Sequence, residues 1–312
     1  MSVKTLRIGT RGSQLALWQA YWIKSQLENL YPDFSIALEV IKTSGDKIRD
    51  VPLAQVGGKG LFVKEIEQAL IDGRIDLAVH SMKDMPGVLP EALCIGVIPK
   101  RETPYDILIS RGNKRIKDLP AGARIGTSSY RRASQMLYRH PDFKIQPLRG
   151  NLDTRIKKLT SENLDAVILA GAGVKRLNLE HMVSEYIDPD IIMPAVGQGA
   201  LCVEVRKNDP SIHELIAPLD HEASNRIVTS ERAFLKQLEG GCQVPMAAFG
   251  RIERDVLTLA GMVAETDGSI MYHDTVSGAV SRAETIGRDL AKRLIERGAG
   301  RIIARLSEEA HP

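Results

Sequence analysis

Leu6-Arg7-Ile8-Gly9-Thr10-Arg11-Gly12-Ser13 decides the fold, because a short strand pattern runs straight into a turn and Ser13 is placed to cap the helix that follows. Ala16, Ala20, Ile23, Leu27 and Leu30 then recur at helical spacing and form one apolar stripe. Further on, Ser35 to Lys42 reads as a strand, and Gly60 to Ile71 as a helix with Phe62, Ile66, Ala69 and Leu70 inward. Asp76-Leu77-Ala78-Val79-His80 and Leu93 to Ile98 read as buried strands. Strands alternating with helices predict an α/β lobe around a largely parallel sheet.

The pattern recurs. Arg7-Ile8-Gly9-Thr10 is matched by Arg124-Ile125-Gly126-Thr127, and Asp76-Leu77-Ala78-Val79 is echoed by Asp165-Ala166-Val167-Ile168. Both copies of the first motif fall at a strand-to-helix junction, where open α/β sheets bind ligands. Two similar doubly wound lobes are therefore expected. After Pro194-Ala195-Val196-Gly197-Gln198-Gly199-Ala200, the strand Leu201 to Val205 returns to the first lobe. A helix from about His221 to Leu238 stops at Gly240-Gly241. Segments at Ala247 to Ile252, Val256 to Val263 and Ile270 to Gly278 predict a small antiparallel sheet, covered by a last helix with Ala283, Ile286, Leu290, Ala291 and Leu294 on one face. The expected division is 1–99 with 200–217 as the first α/β lobe, 100–199 as the second, and 218–312 as a C-terminal α+β domain.

Composition narrows the function. At 312 residues, with 43% hydrophobic and 26% charged residues, the chain has the make-up of a water-soluble globular protein of two or three domains. No apolar run is long enough to span a membrane, and the N-terminus enters a strand without the apolar segment of a signal peptide. A net charge of +3 and 4% aromatic residues give little to hold nucleic acid. Three widely spaced cysteines argue against a disulfide framework and for a reducing cytoplasm, and no metal-type Cys-x-x-Cys or His-Glu-x-x-His occurs. Nothing demands an oligomer, so a monomer is expected.

The chemistry gathers at loops and helix starts. Arg11 sits beside Ser13; Arg131 and Arg132 follow Gly126-Thr127-Ser128-Ser129-Tyr130; Arg149 and Arg155 lie in Leu148-Arg149-Gly150-Asn151-Leu152-Asp153-Thr154-Arg155. Guanidinium forks at helix N-termini bind carboxylate or phosphate, so the inferred ligand is a polyanion. Val79-His80-Ser81-Met82-Lys83-Asp84-Met85-Pro86 follows a buried strand and places Ser81, Lys83 and Asp84 at the mouth of the first lobe. A carboxylate there can move protons or stabilise a cation, whereas His80 reads as a packed strand-end histidine. Gln55-Val56-Gly57-Gly58-Lys59-Gly60-Leu61-Phe62 lacks P-loop spacing and reads as a lid or connecting loop, with Lys59 touching an anion in the first case. Cys94 and Cys202 sit in apolar strand-like runs, where cysteine is a small hydrophobe. Cys242, in Gly240-Gly241-Cys242-Gln243-Val244-Pro245, sits in a turn and is the one cysteine placed to react.

Six segments, Val56 to Glu65, Val79 to Pro86, Gly126 to Arg132, Leu148 to Arg155, Pro194 to Ala200 and Glu239 to Pro245, together resemble the porphobilinogen deaminase (hydroxymethylbilane synthase) family, over about residues 5 to 300. The resemblance implies two periplasmic-binding-protein-like lobes and a small third domain. It also implies a dipyrromethane cofactor, made from two substrate units and joined by a thioether to Cys242. Four porphobilinogens are then added, each losing ammonia, and water releases hydroxymethylbilane. Asp84 is the implied catalytic carboxylate, stabilising the azafulvene-type cation that follows deamination. Lys83, Ser81, Thr127, Ser129, Arg131, Arg132 and Asp46 are implied in holding the cofactor, and Arg11, Ser13, Lys59, Arg149, Arg155 and Arg176 in holding substrate acetates and propionates. Gln55 stands where family members often carry lysine.

Two other readings compete. A non-catalytic two-lobed anion- or solute-binding protein explains the strand-end arginines but neither Cys242 nor Asp84. A cysteine hydrolase needs a histidine, and within the thirty residues before Cys242 only His213 and His221 occur.

Overall fold

The computed structural model describes residues 5–47, 63–238 and 244–309. In chain order its elements begin with β1 (Thr5–Thr10), α1 (Gln14–Leu30), β2 (Ser35–Val40), α2 (Ser44–Lys47), α3 (Lys64–Ile71), β3 (Leu77–Ser81) and β4 (Leu93–Val97). Next come β5 (Asp106–Ser110), β6 (Arg124–Gly126), α4 (Tyr130–Arg139), β7 (Lys144–Gln146), α5 (Leu152–Ser161), β8 (Ala166–Ala170), α6 (Gly171–Arg176) and β9 (Glu185–Tyr186). They are followed by β10 (Leu201–Arg206), α7 (Pro210–Ile216), α8 (Glu222–Gln237), β11 (Met246–Glu253), β12 (Val256–Ala264), β13 (Met271–Ala279), α9 (Ala283–Leu294) and α10 (Gly300–Glu309). Residues divide into two compact units, 1–102 with 200–225 and 103–199 with 226–312.

In the first unit the strand order is β2-β1-β3-β10-β4. β1 lies parallel to β2 and β3, pairing Thr5 with Ser35 and Ile8 with Leu77. Apolar side chains leave the sheet on both faces, which gives strands their near-continuous apolar sequence. Ile8, Leu77, Val79 and Val203 pack with Ala20, Ile23 and Leu27 of α1 and Ile216 of α7. On the opposite face Ala78 and Leu93 pack with Ile66, Ala69 and Leu70 of α3. The expected α1 stripe is buried at Ala20, Ile23 and Leu27, while Leu30, in its last turn, is exposed. For the helix expected over Gly60 to Ile71, the described part is Lys64–Ile71; Phe62 lies outside the described residues.

The second unit repeats the arrangement with order β7-β6-β8-β5-β9. Ile107, Ile109, Val167 and Leu169 face one core, and Leu108, Ile125 and Ile168 face the other. The echo is one of contacts as well as letters. The amide of Arg7 donates to Asp76 Oδ2 at 2.8 Å and the amide of Asp76 donates to the Arg7 carbonyl at 2.9 Å; Arg124 and Asp165 make the same pair at 2.8 and 2.9 Å. The sheets are more mixed than the alternation of strands and helices predicts. β10 runs antiparallel to β3 and β4, and β5 antiparallel to β8 and β9. Each of these fourth strands begins within three residues of a chain crossing between units, at 102–103 and 199–200, so neither arrives through the right-handed β-helix-β connection that makes neighbours parallel.

The second unit also carries the antiparallel sheet β11-β12-β13. Its first hairpin turns at Arg254 and Asp255, both with positive φ (47° and 63°), the conformation that suits a tight two-residue connection. Leu257 and Leu259 pack under Phe234 of α8 and Ile286, Leu290 and Leu294 of α9, the stripe expected from the sequence. α10 was not foreseen. It follows Gly298, whose φ of 116° breaks the helical path before Ile302 and Leu306 rejoin the core.

α8 and α9 approach closely at Gly287, where an added Cβ would lie 2.1 Å from the Ser230 carbonyl oxygen. Backbone cannot yield as a side-chain tip can. Gly287→Ala is expected to cost about 1–3 kcal/mol through overpacking, read as a lower thermal midpoint with α-helical signal retained.

Candidate functional site

At the carboxyl end of β1 the chain turns through Arg11 and Gly12 into α1, and Ser13 Oγ accepts the Ala16 amide at 3.3 Å. Beside it β3 ends at Ser81 and passes into a single 3-10 turn, Met82–Asp84. Met82 is buried and anchors that turn, and its amide donates to the Ala200 carbonyl at 3.0 Å. Lys83 and Asp84 are left exposed. Arg11, Ser13, Gln19, Ser81 and Asp84 line one cleft, over the N-terminus of α1. A guanidinium and two hydroxyls there suit carboxylate groups, and the Asp84 carboxylate suits a cation or N–H donors.

Gln19 is a residue the sequence reading missed. It is buried, and its Nε2 donates to Ser81 Oγ at 2.9 Å, tying α1 to the end of β3. The available signal was a polar residue inside the apolar stripe between Ala16 and Ala20.

In the second unit β6 turns through Thr127, Ser128 and Ser129 into α4, capped by Ser129 Oγ on the Arg132 amide at 3.4 Å. Ser128 Oγ accepts the Leu148 amide at 2.7 Å and donates to its carbonyl at 2.8 Å, which clamps this turn to the segment carrying Arg149. Asn151 caps α5 through the Thr154 amide at 3.0 Å, and Arg155 Nε donates to the Gly150 carbonyl at 2.8 Å. Thr127 is buried, and Arg149 and Arg155 are half-buried.

Arg131 and Arg132 are buried, 7% and 6% exposed, and both reach Asp106, which is wholly buried. Arg131 Nη1 donates to Asp106 Oδ2 at 2.7 Å and to the Met193 carbonyl at 2.6 Å. Arg132 donates to Asp106 Oδ1 from Nε at 2.9 Å and lies at 2.7 Å through Nη2. Gln198 Nε2 adds a third donor to Oδ1 at 3.0 Å. Burial pushes the Asp106 carboxyl up, but the two guanidinium groups outweigh it and hold the carboxyl at about 2. Arg176 Nη2 donates to the Gly199 carbonyl at 2.8 Å, so Asp106 and Arg176 both grip the 194–200 turn. Sequence reading missed Asp106; its signal was an acid opening the apolar run Ile107-Leu108-Ile109.

The structure therefore brings Arg11, Ser13, Ser81 and Asp84 together in the first unit; in the second, Thr127, Ser129 and Arg149 lie at turns, Arg131 and Arg132 in the first turn of α4, Arg155 in the first turn of α5 and Arg176 at the end of α6. Lys59 and Cys242 lie outside the described residues, as do Gln55 and the side chain of Asp46. His213 Nε2 is 3.1 Å from the Arg206 carbonyl oxygen and 3.9 Å from Cys94 Sγ, and His221 Nδ1 is 2.9 Å from Ser224 Oγ. No group of three or more His, Cys, Asp or Glu side chains among the described residues could hold a metal ion.

Fold and site thus define an α/β protein with two like-ordered five-stranded sheets, a small third sheet, and turns at the strand ends that carry guanidinium and hydroxyl groups. The family model for "Porphobilinogen deaminase, dipyromethane cofactor binding domain" matches residues 6–214, and that for "Porphobilinogen deaminase, C-terminal domain" matches residues 226–296. The porphobilinogen deaminase of Syntrophotalea carbinolica is 54% identical over 307 residues, 98% of this chain and 97% of that protein. That of Geobacter metallireducens is 55% identical over 304 residues, 97% of this chain and 95% of that protein. Among solved structures, an amino-acid ABC transporter extracellular-binding protein of Bacillus subtilis shares 14% identity over 70% of this chain and 90% of its own, with a TM-score of 0.45. The chain belongs to the porphobilinogen deaminase family. A non-catalytic solute-binding protein is not favoured.

The buried charge cluster makes a prediction. Asp106→Asn leaves two buried guanidinium groups without their counter-charge and is expected to cost about 3–5 kcal/mol, measured by denaturant unfolding. Because the folded carboxyl is depressed, its contribution is present above the ordinary aspartate value and is lost as pH falls towards about 2. The variant should therefore show a flatter loss of stability over that acid range than the parent chain.

Proposed function

We propose that this porphobilinogen deaminase extends a dipyrromethane primer attached through Cys242 Sγ, with Asp84 as the catalytic carboxylate. The observation that carries the reading is the placement of Asp84 at the end of β3, in one cleft with Arg11, Ser13 and Ser81. The donor set fits such a group, since a dipyrromethane presents acetate and propionate carboxylates for cations and hydroxyls and pyrrole N–H groups for a carboxylate. Ser81, Lys83, Thr127, Ser129, Arg131, Arg132 and Asp46 hold it in this reading, and Arg11, Ser13, Lys59, Arg149, Arg155 and Arg176 hold the substrate's carboxylates. When bound, the dipyrromethane supplies the electron-rich pyrrole carbon from which the product grows.

The chain's own residues then divide the work. Guanidinium groups fix each incoming porphobilinogen by its two carboxylates and so orient its aminomethyl carbon. As the bond from that carbon to nitrogen breaks and ammonia leaves, positive charge develops on the substrate. In this reading the Asp84 carboxylate stabilises that charge and accepts hydrogen bonds from pyrrole N–H. Four additions and a hydrolysis give hydroxymethylbilane. Match boundaries at residues 214 and 226 support reading the C-terminal segment as a separate domain. No helix among the described residues is long and apolar enough to cross a membrane, and the odd, dispersed cysteines suit a reducing cytoplasm; a monomer is the state this reading takes.

Two measurements test this. The purified chain should carry a covalent mass equal to two pyrrole units, absent from Cys242→Ser; a bare polypeptide mass with full activity overturns the attachment. Asp84→Asn should still bind porphobilinogen but lose roughly 10²-fold or more in kcat, since an amide cannot balance the developing cation. Undiminished turnover would assign the role to another carboxylate.

A further inference from the structure

Behind the site, on the inner side of β3, two glutamates and a histidine are buried together. His80 is the residue before Ser81, and its Nε2 lies 3.1 Å from Glu204 Oε2 on the neighbouring strand β10. His80 is 6% exposed, Glu204 is fully buried and Glu67 of α3 is 7% exposed. One oxygen of each acid, Glu204 Oε1 and Glu67 Oε1, is buried with no hydrogen-bond partner among the described residues. Apolar residues would fill this layer at no electrostatic cost, so two acids and an imidazole ask for an explanation.

We propose that Glu204, His80 and Glu67 form a buried cluster behind the site end of β3, in which Glu67 holds a proton and the Glu204–His80 pair positions the strand. Two carboxylates in one dry layer do not both ionise when a single proton relieves them. Glu204 Oε2 has the His80 ring against it, and that contact fixes the ring. Glu67 has no such partner among the described residues, and burial, then the Glu204 charge, push its carboxyl up, against smaller opposing effects of His80 and Lys64. Across the sheet, on the face that α7 covers, burial pushes the thiol of Cys94 on β4 up, with smaller effects of Lys207 and Glu204, and His213 Nε2 lies 3.9 Å from its sulfur. A fixed His80 fixes the strand at the point where Ser81 receives Gln19 and the turn to Asp84 begins. Glu204 and His80 are thus positioning residues, acting on the reaction through Ser81 and Asp84.

The catalytic half of this inference rests on Asp84 being the catalytic carboxylate; the protonation half does not. The test uses the full-length holoenzyme and two variants, Glu67→Gln and Glu204→Gln, followed by steady-state kinetics and by thermal unfolding across pH. Glu67→Gln mimics the protonated acid and should keep kcat within about twofold at neutral pH, whereas Glu204→Gln should lower kcat about tenfold or more with KM within about twofold. The double variant should be no slower than Glu204→Gln alone. A raised folded-state carboxyl makes stability fall as pH rises from the ordinary glutamate value through the raised one, so the parent should lose stability over that range and Glu67→Gln should lose less. Parallel pH–stability curves overturn the protonation assignment. Equal kinetic damage from both variants, or normal kcat in Glu204→Gln, overturns the positioning role. Should Glu204→Gln fail to fold, His80→Gln takes its place, with the same loss of kcat at constant KM expected. If Asp84→Asn turns over normally while Glu67→Gln flattens the pH–stability curve, the buried cluster stands and the assignment of Asp84 falls.

Discussion

The buried carboxylate of Asp106 has to be neutralised, and the second unit is arranged around that requirement. An isolated ion in such a place costs on the order of several kcal/mol even after relaxation, so its partners must arrive from fixed positions. The start of α4 supplies Arg131 and Arg132, and the 194–200 turn supplies Gln198. Each partner is held again elsewhere: Arg131 by the Met193 carbonyl, Arg132 by the Ile168 carbonyl at 3.2 Å, Gln198 by the Pro104 carbonyl at 2.7 Å. One acid at the first position of β5 therefore sets where α4 starts and how the turn before β10 runs.

The same economy of position appears in the repeated half of each sheet. The aspartates before β3 and β8 accept amides at the starts of β1 and β6, and this fixes the central strands so that Thr10 and Thr127 end level with the next helix cap. Helix N-termini then face outward at equivalent places in both units, at Ser13 and Ser129. The turn residues differ between the copies, with Arg11 after Thr10 in one and Ser128 after Thr127 in the other.

Much of this was legible because it is periodic. Apolar stripes in α1 and α9 and the alternation in β11 to β13 follow from burial on one face, which sequence spacing records directly. The repeat was legible from four letters because Gly and Thr occupy the junction in both copies. Strand direction was not: whether β5 and β10 run parallel or antiparallel depends on which unit the chain comes from, and no local pattern encodes that. Gln19, Asp106 and Glu204 escaped for a related reason. Each is a polar residue inside an apolar pattern, read locally as an interruption, and its meaning lies with partners 62, 26 and 124 residues away at Ser81, Arg132 and His80.

Arginines that bind carboxylates must be kept apart from one another and kept charged, and the buried acids decide how. Asp106 cancels one of the two charges brought by Arg131 and Arg132, and Arg155 adds its field to Arg132 from the start of α5. The surroundings of that turn thus keep an excess of positive charge while Arg131 and Arg132 share one buried counter-ion. Asp84 has the opposite setting, exposed at a strand end where its own charge is hydrated until a ligand excludes water. A carboxylate so placed interacts weakly with a distant cation but strongly with one that forms against it in a closed site, since the local dielectric falls as water leaves. In the proposed reaction, holding the substrate's permanent charges and stabilising a transient cation are different electrostatic problems. The fold offers the first a pair of arginines pinned by buried Asp106 and the second an exposed Asp84 on a short turn anchored by Met82.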